Sequence, residues 1–163
     1  MIHYNPTDGD AYGSTISYQP RTCFVMTQLG KPVPAAVLEI RTELDEVLAD
    51  HDIGVVDANS VVTGRDFLMK IWRMLLSVPL GIAIVDRGMT PQTYANIFYE
   101  VGMLHAFGKE SLVVITPDTQ VPSDLVRTEY LEYGDEFKPQ LIQFLKSFFE
   151  QAGHFALMAD QLE

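Results

Sequence analysis

The sequence has few cysteines and no long apolar run. Its single cysteine, Cys23, allows no internal disulfide among the 163 residues, and a cysteine-based zinc site is not expected. No apolar segment approaches the roughly 20 residues that a membrane-spanning helix needs. The start, MIHYNPTDGDAYGS, lacks a basic region followed by an apolar one, unlike a secretion signal. We therefore expect a cytoplasmic protein.

Basic side chains are also scarce. Eleven lysines and arginines stand against 22 aspartates and glutamates, which gives a net charge of −11. The sequence shows no basic stripe of the kind that holds a nucleic-acid backbone, so we expect no such binding. A small anion remains compatible with this charge, because a helix N-terminus and a few local arginines can hold one phosphate. The simplest role of the charge is solubility.

What the sequence has is a regular alternation of apolar and amphipathic segments. Short apolar segments predict five strands, and helical spacing of apolar residues predicts four helices between and after them. The strands are expected at 22–28, 53–58, 80–86, 111–116 and 128–133, and the helices at 33–50, 64–77, 94–107 and 136–153. Such alternation favours right-handed βαβ units.

We predict one doubly wound α/β domain, flavodoxin-like or Rossmann-like, over residues 21–153. Its parallel five-stranded sheet, in the order 2-1-3-4-5, would be flanked by helices, with the fifth strand at an edge. Residues 1–20 are expected to form a flexible arm and residues 154–163 a C-terminal tail.

This topology predicts where a ligand would bind. In doubly wound sheets, the site lies at the carboxyl ends of the strands where the strand order reverses, here between strands one and three. The helix after strand three should begin beside the same crevice, with Glu100 about one turn from its start and Asn96 on the same face. The other candidates lie where the chain leaves the two strands: Gln28, Gly30 and Lys31 at the end of the first, and Asp86 and Arg87 at the end of the third.

Each candidate also has a purely structural interpretation. Glu100 could be a carboxylate stabilised by the dipole at a helix N-terminus, and Asn96 could be the helix cap. Asp86 could cap the loop after strand three, and Gly102 is expected to allow close packing of the helix against the sheet. The remaining candidates could be an ordinary strand-ending turn or solvated side chains: Gln28, Gly30, Lys31 and Arg87.

Three segments carry a family resemblance: CFVMTQLG at 23–30, GRDFLMKIWRMLLSVPLGIAIVDRG at 64–88 and NIFYEVGMLHAFGKESLVVIT at 96–116. They resemble sequence blocks of the nucleoside 2-deoxyribosyltransferase-like and TIR-like nucleotide-binding superfamily. The third is the specific one, since it matches the pattern N-V-F-Y-E-L-G-x-x-H-A-L-G-K-P nearly residue for residue. The resemblance spans Thr22 to Pro117.

The resemblance implies roles for three of the candidates. Glu100 would take the place of the catalytic glutamate, which attacks the anomeric carbon of the sugar and forms a covalent glycosyl-enzyme. Such chemistry needs a negative charge beside an oxocarbenium-like transition state. Asp86 would hold the base or a sugar hydroxyl, and Asn96 a sugar hydroxyl or a phosphate oxygen. The implied ligand is a small nucleoside or nucleotide, with no cofactor or metal, in a homo-oligomer.

The sequence departs from the family pattern at two points. The first strand, TCFVMTQLG, lacks the tyrosine that orients the glutamate in the classical transferases. Tyr94 or Tyr99 could substitute, although we expect Tyr99 to point elsewhere. The loop RGMTPQTYA lacks the additional aspartate of those enzymes. These departures bear on base exchange more than on ligand binding.

Three functions fit these observations. The first is cleavage or transfer at the N-glycosidic bond of a nucleoside, nucleotide or NAD-like molecule, with Glu100 and Asp86 catalytic and Gln28, Gly30, Asn96 and Arg87 binding the ligand. The second is a TIR-like module that binds a nucleotide and signals by assembly without catalysis. The third is a protein-interaction domain, for which the apolar segment HFALMA at 154–159 could dock on a partner or a second copy.

Overall fold

The computed structural model describes Gly9 and residues 16–58, 67–123, 125 and 128–160, with the backbone alone at 67 and 152–160. The described residues form five strands and four helices. In chain order these are β1 Thr22–Met26, α1 Ala35–Asp50, β2 Gly54–Asp57, α2 Phe67–Ser77, β3 Leu80–Val85, α3 Pro91–Ala106, β4 Glu110–Ile115, β5 Thr128–Glu132 and α4 Phe137–Asp160.

The strands form one parallel sheet in the order β2-β1-β3-β4-β5. The predicted fold class, strand order and edge position of the fifth strand are therefore confirmed. Every strand lies within two residues of its predicted bounds, because apolar runs between turn residues mark buried parallel strands clearly.

The sheet is centred on β3, where all six residues are buried. Because successive side chains of a strand point to opposite faces, this burial means that both faces of the sheet are covered. Ile82 of β3 lies opposite Val25 of β1 on one side and Leu112 of β4 on the other. The core is thus continuous across the three central strands.

Helix α3 packs closely against the sheet at Gly81. A Cβ atom on Gly81 would lie 2.0 Å from Cδ1 of Leu104, which no packing could accept without movement. Gly102, the glycine that the sequence suggests for this close packing, has no described atom within 4 Å of a Cβ position. That expectation is wrong, and the close contact that requires a glycine is Gly81 against Leu104.

Two helices differ from their predicted bounds by three residues or more. Helix α3 begins at Pro91, three residues before the predicted start, because Thr90 caps it: Oγ1 of Thr90 accepts from the Thr93 amide at 3.2 Å. Helix α4 continues to Asp160, seven residues beyond its predicted end. The side chains of the apolar segment 154–159 lie outside the described residues, as do the predicted start of α2 and most of the predicted arm.

Two negative findings hold across the described part of the chain. None of its helices combines the length and the apolar character required to cross a membrane. Nor does it group three or more histidine, cysteine, aspartate or glutamate side chains as a metal ion would require.

Candidate active site

A cavity of about 260 Å³ lies between the end of β1 and the middle of α3. Its size is close to the lower end of small-molecule sites. It occupies the position predicted from the strand order, where β1 and β3 are neighbours and their following segments diverge. The described lining is Thr27, Leu29, Gly30, Leu68, Thr93, Asn96, Ile97, Tyr99 and Glu100. Three of the sequence candidates therefore come together here: Gly30, Asn96 and Glu100.

Glu100 is the only acidic side chain in this described lining, and no described lysine, arginine or histidine lines the cavity with it. Among the described residues its carboxylate has neither a hydrogen-bond partner nor an ion-pair partner. Burial without a compensating charge raises the pKa of Glu100 from 4.5 to about 7. At neutral pH both the charged and the neutral form of the carboxyl group are therefore populated.

The position of Glu100 in α3 rules out the interpretation as a helix N-terminal carboxylate. Glu100 comes nine residues after Pro91, which places it about 13 Å along the helix axis from the start. The helix dipole favours a negative charge only within the first turn. The interpretation of Asn96 as the helix cap is wrong for the same reason, since Thr90 holds that position.

Thr27 is a cavity residue that sequence reasoning missed. It is the first residue after β1, and its hydroxyl oxygen is buried with no hydrogen-bond partner among the described residues. Polar atoms in such a position are rare because leaving one unpaired costs stability. The sequence prediction places Thr27 inside the first strand, at 22–28, so its position directly after β1 becomes visible only in the structure.

The cavity is bordered by large apolar side chains that stay exposed. Leu29 is 46% exposed, Leu68 51% and Tyr99 55%. Tyr99 lines the cavity beside Glu100, so the expectation that it points elsewhere is wrong. Tyr94, the other proposed substitute for the missing tyrosine, donates from its hydroxyl to the Gln120 carbonyl at 2.6 Å and lines a different cavity.

The Gln28 side chain forms hydrogen bonds within the loop that contributes Gly30 to the cavity. Its Nε2 donates to the Gly30 carbonyl at 2.9 Å and to the Pro32 carbonyl at 2.6 Å. The side chain does not line the cavity in the described structure. The geometry therefore gives Gln28 a supporting position in the loop.

Asp86 and Arg87 line a second cavity of about 370 Å³, together with Tyr94 and Asp118. The structure does not bring them together with Glu100. Oδ1 of Asp86 accepts from the Gly88 amide at 2.7 Å, and Oδ2 accepts from Oγ1 of Thr116 at 2.7 Å. This is the loop-capping arrangement considered for Asp86 from the sequence. The exposed Arg87 guanidinium lies 3.4 Å from the Asp118 carboxylate.

The motif from Asn96 to Lys109 divides into two parts. Its first part, with Asn96, Tyr99 and Glu100, faces the cavity. Its last part is structural: Gly108, at φ +73°, follows the end of α3. The Lys109 ammonium donates to the Leu75, Leu76 and Val78 carbonyls, so it caps the C-terminus of α2.

No protein-family model and no curated protein matches the sequence. Solved structures do share the fold. The CMP N-glycosidase BcmB of Clostridium botulinum superposes with a TM-score of 0.50 and 15% identity, over 77% of this chain and 98% of that one. A 2-deoxyribosyltransferase of the psychrotolerant Bacillus psychrosaccharolyticus superposes with a TM-score of 0.55 and 9% identity, over 74% of this chain and 90% of that one. The chain therefore has a nucleoside 2-deoxyribosyltransferase-like fold, as its sequence blocks predict.

Proposed function

We propose that this chain cleaves or transfers the N-glycosidic bond of a nucleoside, a nucleotide or an NAD-like molecule in the Glu100 cavity. The observation that carries the proposal is Glu100 itself. It is a half-buried carboxylate with no described partner, held in a small cavity at the switch point of the sheet. Two structures that share the fold are an N-glycosidase and a deoxyribosyltransferase by name, which supports this class of reaction.

The proposed reaction has two steps. In the first, a Glu100 oxygen forms a bond to the anomeric carbon of the sugar, while the bond from that carbon to the base nitrogen breaks. The departing base keeps the electron pair; the base of a nucleoside or nucleotide takes up a proton from water, whereas nicotinamide leaves an NAD-like molecule already neutral. In the second, water or another base attacks the same carbon, loses a proton to the solvent and releases Glu100 as a carboxylate. A single carboxylate suffices for this double displacement as nucleophile.

The cavity suits such a step because it partly shields the carboxylate from bulk water. An ionised carboxylate without partners is a stronger nucleophile than a solvated one, and it stabilises the positive charge that develops on the sugar. Asn96 and Thr93 line the same cavity and offer polar contacts for the sugar or a phosphate. Asp86 enters the proposal as a positioning residue, since it fixes the loop that leads into α3.

The experiment that tests this proposal is chromatography of a pool of nucleosides, nucleotides and NAD after incubation with the protein. Free base or nicotinamide is expected with the wild type and is expected to disappear in Glu100→Gln. The matched control is Glu46→Gln on α1, which changes an exposed glutamate remote from the cavity. Base release by Glu100→Gln at the wild-type rate would overturn the assignment of Glu100.

A second candidate function is a module that binds a nucleotide and signals by assembly without cleavage. The observation that favours it is the absence of any described side chain bonded to Glu100, which leaves the carboxylate without an orienting partner. Nucleotide-dependent growth in mass, measured by light scattering, with no released base would support this candidate. A monomer indifferent to every nucleotide would count against it.

A further inference from the structure

The Thr27 hydroxyl differs from the other threonine hydroxyls at the carboxyl end of the sheet. Oγ1 of Thr116 is bonded to Asp86 at 2.7 Å and to Thr119 at 2.8 Å. The hydroxyl oxygens of Thr90 and Thr93 are hydrogen-bonded to one another at 3.0 Å. Thr27 alone among the described residues carries a buried side-chain oxygen without a partner.

A buried hydroxyl group without a hydrogen-bond partner costs stability, so the presence of threonine at this position calls for an explanation. Thr27 lines the same cavity as Glu100, and the two residues belong to different elements, since Thr27 follows β1 and Glu100 belongs to α3. A threonine hydroxyl moves between staggered positions by rotation about one bond, so a molecule bound in the cavity can become its partner.

We infer that the hydroxyl of Thr27 is a ligand contact of the Glu100 cavity, bonded to an uncharged polar group such as a sugar hydroxyl or a base amide. A threonine hydroxyl both donates and accepts, which matches groups of that kind. This inference rests on the proposed function, because it takes the occupant to be a nucleoside or nucleotide. It adds to Glu100 on α3 a second ligand contact at the end of β1.

The expected effect follows from the removal of one hydrogen bond. Thr27→Val keeps the shape of the side chain and replaces the hydroxyl with a methyl group. Loss of one bond to a ligand lowers affinity by about tenfold. Thr27→Ser keeps the hydroxyl and should bind within about threefold of the wild type.

The test has two measurements on wild type, Thr27→Val and Thr27→Ser. One is binding or KM for the nucleoside or nucleotide that the chromatographic screen identifies. The other is the midpoint of thermal unfolding without ligand, where Thr27→Val should equal or exceed the wild type, because no bond within the protein is lost. Thr128→Val is the matched control, since Oγ1 of Thr128 is hydrogen-bonded to Oγ of Ser111 at 3.0 Å and neither residue lines the cavity. It should unfold about 2–4 °C lower and bind as the wild type does.

Each outcome decides the inference. Weaker binding by Thr27→Val with an undiminished midpoint supports it. Unchanged binding overturns it, and so does a lowered midpoint, because that would reveal a partner within the protein. A failure of the proposed function is distinct: the wild type itself would then neither bind nor cleave any nucleoside or nucleotide, which removes the contact together with its ligand.

Discussion

Oγ1 of Thr116 donates to the Asp86 carboxylate across 2.7 Å, and this bond joins the segments that follow β4 and β3. The other carboxylate oxygen accepts from the Gly88 amide in the turn before α3. The turn is tight, since a Cβ atom on Gly88 would lie 2.9 Å from Asp86 Oδ1. Asp86 thus holds together the loop from which α3 begins, and it does so from outside the Glu100 cavity.

Asp86→Ala should lower the free energy of unfolding by about 1.5–3 kcal/mol, because it removes two hydrogen bonds to a charged group. Asp86→Asn should lose less, since its amide can still accept from Gly88 and donate to Thr116. Chemical denaturation of the two variants measures the difference. If Asp86→Asn abolished base release with no change in stability, Asp86 would have a chemical role instead.

Glu100→Gln should stabilise the protein at high pH. Below pH 4.5 the carboxyl group is neutral in both folded and unfolded chains, so the variant and the wild type should be equally stable. Between pH 4.5 and about 7 the Glu100 carboxyl group is ionised in the unfolded chain but still largely neutral in the folded protein. The wild type therefore loses stability as pH rises. At pH 8 the free energy of unfolding of the variant should exceed that of the wild type by up to about 3 kcal/mol. Solvent contact of the carboxylate at the cavity mouth reduces this difference.

Urea unfolding from pH 4 to pH 8 measures this difference, with Glu46→Gln as the control that should follow the wild type. A Glu100→Gln variant less stable than the wild type at pH 8 would show that the carboxylate has a favourable partner in the folded protein.

Alanine substitution of two glycines near α3 should change the free energy of unfolding in opposite directions. Gly81→Ala forces a methyl group against Leu104 and should cost about 1–3 kcal/mol of unfolding free energy. Gly102→Ala meets open space on an exposed helix surface and should gain about 0.5–1 kcal/mol. Thermal denaturation of both variants checks the pair. Equal losses at both positions would contradict the packing of α3 described here.

The sheet and its order could be predicted because burial on both faces imposes apolar runs that turn residues interrupt. The same segments located the crevice, and with it Gly30, Asn96 and Glu100. The start of α3 was predicted three residues late because TPQT resembles a loop. The cap at Thr90 and the proline in the first turn are the signals that place the helix start at Pro91.

The remaining errors concern contacts between distant parts of the chain. Asp86 and Thr116 are 30 residues apart, and nothing in the local pattern pairs them. The unpartnered state of the Thr27 hydroxyl depends on every element around it. The orientation of Tyr99 was misjudged because it depends on the true helix start and on the cavity beside it.

The most direct test of Glu100 as the attacking carboxylate is the pH dependence of kcat/KM for base release. The substrate should be one that does not titrate between pH 5 and 9. Because kcat/KM reports the free enzyme, and burial raises the pKa of Glu100 to about 7, the value should rise about tenfold per pH unit up to that point and then level off. A rate that falls as pH rises through 7 would show that the reaction uses protonated Glu100, and a flat profile would show that Glu100 does not take part.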